Sequence, residues 1–256
     1  MNNKITININ NKGVIDMDTV KGCEHGMRLN SKGCYGNCYA YRAMKRYGYN
    51  FNESVKRYVY NKNEFFNNVK KTIFKSGLKF IRIGVMGDPS HYWNHTLGIC
   101  ELLKSFPYYI VIITKHWITL TDCQLDRFNK LENIIFNTSI SALDTKKQIK
   151  YRLNQYYRIE GTGKSVLRIV SCDFNNDYFN KIQQNLFLNK FVIDNPFRCF
   201  KNHKLVVNNI INIIPFGNQY ISKFNDKTYT GKCKGCPDMC GVSFFESIEK
   251  QFNLFQ

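Results

Sequence analysis

Through the middle of the chain, short runs of apolar and β-branched residues alternate with longer stretches in which apolar residues recur every three or four positions. The short runs have strand length and strand composition. They are FIRIGVM (80–86), YYIVIIT (108–114), NIIFNTSIS (133–141), SVLRIVSCDF (165–174) and KFVID (190–194). The stretches between them predict helices over 92–105, stopped by Pro107, over 119–131, over 142–161, closed by Gly161, and over 176–189. Upstream, DMDTVKGC (16–23) predicts a first strand. Residues 37–68 lack proline and predict one or two helices.

Strand–helix alternation with short connections implies parallel strands joined by right-handed crossovers. Five or six such units in a row predict an α/β fold: a partial or complete parallel (β/α) barrel of TIM type, ahead of a small doubly wound sheet. The alternation fades after residue 195. The expected organisation is therefore a barrel over 1–195 and a small C-terminal cysteine-rich module over 196–256. A barrel carries its reactive site at the C-terminal ends of its strands. The unusual residues lie there: a cysteine loop after the first strand, GDPSH after the second, TKHW after the third, SIS after the fourth and SCDF after the fifth.

Composition narrows the setting. The 256 residues include 43% hydrophobic and 15% aromatic residues, enough for a real core and against disorder. MNNKITININNKG has no signal-peptide core, and the apolar runs are too short to span a membrane. A cytoplasmic protein without a membrane partner is expected. Lys plus Arg is 37 against 19 Asp plus Glu, a net charge of +18. Such a field favours nucleic acid as a partner. The abundance of Lys, Asn, Ile, Tyr and Phe also matches an AT-rich coding bias, which raises lysine independently of binding.

Ten cysteines change the picture further. In a reducing compartment, clustered cysteines more often bind metal or react than pair. Cys100, Cys123 and Cys172 stand alone and read as ordinary buried or half-buried thiols. Cys23, Cys34 and Cys38 form one group. Cys233, Cys236 and Cys240, in KCKGCPDMCG, form another, and Cys199 in NPFRCF is a candidate fourth member. Three thiolates on one loop hold a metal centre with a position left open. A zinc site would need a fourth ligand, for which His25 is nearest. A [4Fe–4S] cluster would have one iron free. Gly22, Gly26, Gly33 and Gly36 give the loop freedom to wrap such a group.

The loop GC…GCYGNCYA resembles the cluster loop of radical S-adenosylmethionine (SAM) enzymes, most closely a phage-associated group with Gly-Cys, a short loop, Gly-Cys, and then Cys-Tyr-Ala. GVMGDPSHYW (84–93) resembles the family's Gly-Gly-Glu-Pro segment, and NTSISALD (137–144) its serine-bearing segment. The gaps between cysteines, ten and three residues, depart from the common three and two. An aspartate replaces the usual glutamate. The resemblance covers roughly residues 14–194 and implies a barrel of the radical SAM type. It implies Cys23, Cys34 and Cys38 as cluster ligands. It implies Tyr39, Gly87, Asp88, Pro89, Ser139, Ser141 and Arg168 around SAM. The implied chemistry is reductive cleavage of SAM to a 5′-deoxyadenosyl radical that takes a hydrogen atom from the substrate. An electron donor such as flavodoxin or ferredoxin is implied with it. Many members carry a second cluster in a C-terminal extension, so the second cysteine group is expected to hold a second [4Fe–4S] cluster, or zinc.

Other residues carry weaker signals. His91 and His95 have i, i+4 ligand spacing without an acidic helper, and read as capping or solvent-facing. Lys115 and His116 end the third strand, facing the predicted site. GTGKS (161–165) precedes a strand and lacks phosphate-loop spacing. Three function classes follow. The first is a radical SAM enzyme modifying nucleic acid or a nucleotide. The second is a non-catalytic nucleic-acid-binding protein stapled by zinc or iron–sulfur. The third is a radical SAM enzyme on a peptide or small molecule.

Overall fold

Four of the apolar runs form the centre of one sheet. In the computed structural model, β5 (Phe80–Ile83), β6 (Tyr109–Thr114), β7 (Ile134–Ile140) and β8 (Ser165–Ser171) lie side by side in chain order, all parallel. β2 (Ile15–Asp16) adds in parallel to β5 and β9 (Val192–Cys199) to β8, giving six consecutive parallel strands. Antiparallel β1 (Asn8–Ile9) borders β2. Antiparallel β11 (Gln219–Ser222) and then β10 (Ile213–Phe216) extend the sheet beyond β9. β1 and β10 are its edges, so among the described residues the sheet is open. The structure describes residues 3–36, 38–199, 203, 213–217, 219–226 and 228–246.

The crossover helices are α3 (Lys62–Ser76), α4 (Trp93–Leu102), α5 (Asp122–Asn129), α6 (Lys146–Glu160) and α7 (Asp177–Phe187). Their starts are written locally. Thr121 with Gln124 and Thr145 with Gln148 close capping boxes, and Asn61 and Asn176 cap α3 and α7. Gly77, in the left-handed region at φ 67°, ends α3.

Strand alternation then sorts the sheet into two faces. Ile81, Ile83, Ile110, Ile112, Ile134 and Phe136 pack with Val69, Ile73, Leu97, Leu125, Phe128 and Ile159 of the helices. Farther along, Ile140, Leu167 and Ile169 pack with Tyr156 and Leu186. All five crossover helices therefore cover one face, the arrangement of a barrel rather than of a doubly wound sheet. On the other face Phe80, Val111, Ile135, Val166 and Ile193 are covered by Cys240, Val242 and Phe245. These strand residues sit toward the N-terminal ends of their strands, so the last described stretch of chain covers that end of the inner face.

Two features depart from the expected pattern. Residues 37–68 do not form only helix. They hold α2 (Tyr39–Arg46) and then β4 (Val55–Lys56), which pairs with β3 (Val20–Lys21), before α3 begins. The boundary expected at 195 falls inside β9, and β11 pairs onto that strand, so the chain beyond 195 continues the sheet. Among the described residues no helix is long and apolar enough to cross a membrane.

Candidate functional site

The three-cysteine loop stands at the C-terminal edge of the parallel strands. Cys23 immediately precedes the short helix α1 (Glu24–Leu29), Cys34 opens a single 3-10 turn, and Cys38 precedes α2. The thiols of Cys23 and Cys34 meet over Gly26: a Cβ there would lie 3.1 Å from one Sγ and 3.2 Å from the other. Gly33, at φ +77°, lets the chain fold back on Cys38, whose Cβ a side chain at 33 would meet at 2.3 Å. Burial pushes the Cys34 thiol up to about 11 and also raises Cys23 and Cys38; the charge of Cys38 opposes ionisation of Cys34, and both of them oppose that of Cys23. Such sulfurs become thiolates when a metal centre supplies the positive charge. The residues present therefore fit a thiolate-bound metal group. Gly26 lets the Cys23 and Cys34 sulfurs come close to its backbone, where a Cβ would crowd both.

Behind the loop lies the segment after β5. Asp18, just past β2, is buried and accepts three backbone N–H bonds: from Gly84 at 3.1 Å, Val85 at 2.7 Å and Met86 at 3.0 Å. Burial lifts its carboxyl to about 6 against the pull of those donors. Asp18 thus fixes the path of 84–86, and Gly22 bridges to Gly87 beyond it. Gly87 admits no side chain, because a Cβ would stand 2.5 Å from the Val20 carbonyl oxygen. Asp88 spends its carboxylate on the fold. It accepts from Ser90 N–H at 3.0 Å, Thr114 Oγ1 at 2.7 Å and Lys115 N–H at 2.8 Å. Pro89 is buried at the start of the turn that Asp88 caps.

A second network pins Cys34. Next to it, Tyr35 holds a left-handed conformation at φ 59° and donates from Oη to Asp144 Oδ1 at 2.8 Å. Lys115 Nζ donates to Tyr35 Oη at 2.6 Å and lies 3.8 Å from Asp144 Oδ2. Arg152 pairs with the same carboxylate and donates from Nε to the Lys115 carbonyl at 3.0 Å. Burial works against the Asp144 carboxylate, but Lys115 and Arg152 outweigh it and hold the group below the usual carboxylate range. None of Asp18, Tyr35, Asp144 and Arg152 stood out in the sequence.

The remaining expected residues divide by place. Tyr39, exposed at the first position of α2, donates from Oη to the Val85 carbonyl at 2.5 Å, so it stands against the segment that Asp18 fixes. Ser139 and Arg168 are register partners on β7 and β8. Alternation puts both on the inner face. Arg168 donates to Asn195 Oδ1 at 2.9 Å and reaches Cys240 Sγ at 3.9 Å. Ser141 is fully buried in the turn after β7, where its Oγ accepts from Leu143 N–H at 3.2 Å. Lys115 faces the cysteine loop, but His116 does not: it is buried behind β7, with Nε2 3.1 Å from Thr138 Oγ1.

The second cysteine group is split. Cys233 and Cys240 sit in the inner-face cluster, with Arg82 reaching Cys233 Sγ at 4.0 Å, and Cys236 is close enough to Cys240 for their charges to interact. Cys199 packs elsewhere, with Ala142, Cys172, Phe174 and Phe197. It ends β9, at the edge of the sheet that carries the first cysteine loop, so it does not complete the 233–240 group. Cys172 is its neighbour rather than an isolated thiol, and Cys123 is exposed.

No family model matches the chain, and no curated protein matches its sequence. Solved structures of spore photoproduct lyase are similar to it. A mutant of that enzyme with bound AdoMet and dinucleoside spore photoproduct gives a TM-score of 0.53 at 14% identity, covering 85% of this chain and 71% of its own. The complex with dinucleoside spore photoproduct gives 0.54 at 15% identity, covering 87% and 72%. A further mutant gives 0.55 at 13% identity, covering 88% and 72%. At this identity the likeness is one of architecture: the chain has the fold of spore photoproduct lyase.

Proposed function

We propose that this chain is a radical SAM enzyme whose substrate is nucleic acid or a nucleotide. The observation that carries the proposal is the meeting of Cys23 and Cys34 over Gly26, with Cys38 close by, at the C-terminal edge of six consecutive parallel strands. Cys23, Cys34 and Cys38 would hold a [4Fe–4S] cluster. The 84–87 backbone, Tyr39, Ser139 and Arg168 would receive SAM. When bound, this pair supplies a 5′-deoxyadenosyl radical for hydrogen abstraction. The chain's own work is positional. Asp18 freezes the 84–86 backbone, and Asp144 with Lys115 and Arg152 fixes Tyr35 beside Cys34.

Two observations support the substrate class. The net charge is +18, and two solved structures of the same fold hold a dinucleoside photoproduct. An electron donor such as flavodoxin or ferredoxin would serve the reduction. The Cys233, Cys236 and Cys240 group is proposed as a second metal site without Cys199, with Arg82 and Arg168 beside two of its sulfurs.

The test is release of 5′-deoxyadenosine from SAM by the reduced, iron-loaded protein, with and without DNA or RNA. Release that nucleic acid stimulates, and that salt suppresses, supports both parts. Release indifferent to nucleic acid keeps the enzyme and moves the substrate to a peptide or small molecule. No release from fully loaded protein defeats the proposal.

A further inference from the structure

His91 is a buried histidine with nothing to bond. Its side chain is 1% exposed, and neither Nδ1 nor Nε2 has a hydrogen-bond partner. Two unmet ring nitrogens in the interior carry a desolvation cost that a protein normally avoids. The groups around them explain the arrangement. Glu24 Oε1 lies 3.7 Å from His91 Nδ1 and 3.8 Å from His25 Nδ1, too far for hydrogen bonds. The His25 Nδ1 is likewise buried without a bond. The two imidazoles face each other at 4.9 Å between centroids. One ligand atom from each of the three residues lies within 4.8 Å of the others. Metal bonds of about 2.0–2.2 Å place ligand atoms about 3–4 Å apart around one ion, close to these separations.

We infer that Glu24, His25 and His91 form a mononuclear divalent-metal site, of the kind that takes zinc, separate from the cysteine site. Two imidazoles and one carboxylate suit a borderline-soft ion and leave one position for water. Arg28 donates to Glu24 Oε2 at 3.4 Å, which leaves Oε1 toward the ion. Trp117 stacks on His25 at 6.0 Å and 15°, walling one side. The fold supplies the ligands from two elements. Glu24 and His25 open α1, directly after Cys23. His91 lies in the turn that Asp88 caps after β5. An ion there would staple the start of the cysteine loop to the GDPSH turn. His95 takes no part: its Nε2 lies 2.7 Å from the Arg57 carbonyl oxygen. The inference does not depend on what the cysteines hold.

The test uses the anaerobically purified full chain, loaded with iron, titrated with Zn2+ and in parallel with Co2+. The expected result is one equivalent of Co2+ showing ligand-field bands without thiolate charge transfer, displaced by Zn2+. His91→Asn and Glu24→Gln should each weaken that equivalent at least about 100-fold, the scale on which even outer partners of a metal site act. Iron per chain, which reports the cysteines separately, should stay the same. Glu24 is partly exposed, so Glu24→Gln serves where His91→Asn fails to fold. The inference is overturned if no such equivalent binds, if both variants bind it as the native chain does, or if the only bound Co2+ carries thiolate bands.

Discussion

Tyr35 Oη donates to Asp144 Oδ1 at 2.8 Å, joining the residue beside Cys34 to a carboxylate 109 positions away in sequence. With Lys115 and Arg152 on the same carboxylate, this contact holds the cysteine loop against the end of β7. Removing one partner of a buried ion network typically costs about 3–5 kcal/mol, because the remaining charges stay buried and unpaired. Asp144→Asn should therefore lower the melting temperature sharply and empty the cysteine site of iron. Tyr35→Phe should cost less, about 1.5–3 kcal/mol for a hydrogen bond to a charged group. Iron per chain should fall in both. Full iron in Tyr35→Phe would show that the loop needs no such anchor.

Gly26 separates folding from cofactor space. It lies within α1 and its φ is not in the left-handed region, so alanine is conformationally allowed and favoured in a helix by about 1 kcal/mol. A methyl there would crowd both Cys23 and Cys34 Sγ. Gly26→Ala should melt no lower than the native chain while losing most of its iron. The measurements are thermal melting and iron per chain; native iron content in Gly26→Ala would contradict the placement.

Asp18→Asn tests the segment behind the site. An amide offers one oxygen where the carboxylate takes three N–H donors, and it turns its own NH2 toward one of them. A loss of about 2 kcal/mol is expected from the unmet donors. SAM binding, measured by equilibrium dialysis on iron-loaded protein, should weaken with it. Unchanged SAM affinity would mean that the 84–86 backbone does not serve the cofactor.

His116 gives a pH signature. Burial lowers it from 6.5 to about 4, with Asp88 opposing, so the fold keeps the ring neutral where the unfolded chain protonates. Its contribution to stability is complete above pH 6.5 and is lost as pH falls toward 4. Denaturant unfolding across that window should show a steeper acid-side loss in the native chain than in His116→Gln. Parallel pH profiles would contradict a buried neutral ring.

The strands and helices from 80 to 194 were legible because each apolar run carries its own period and its own caps, as in Thr121–Gln124 and Thr145–Gln148. β4 was not, since two residues without an alternating face leave no period to read. The cysteine loop was visible as local spacing, and the structure gathers its three members. Cys199 was grouped by count with Cys233, Cys236 and Cys240, but counting cannot tell which end of a sheet a strand residue occupies. Asp18, Asp144 and Arg152 look like ordinary charges in sequence. The donors to Asp18 lie 66 to 68 residues away and Tyr35 lies 109 residues from Asp144, on elements brought together only by the crossovers. His91 was read with His95, four residues on, whereas its neighbours Glu24 and His25 arrive from α1.

The most direct test of the central claim is a count of iron, sulfide and zinc in anaerobically purified protein, beside Cys34→Ala and Cys240→Ala. The account predicts about four irons lost in Cys34→Ala and kept in Cys240→Ala, the content of one [4Fe–4S] cluster on the first loop. Zinc without iron in the native chain, even after reconstitution, would contradict it and leave a metal-stapled nucleic-acid-binding protein.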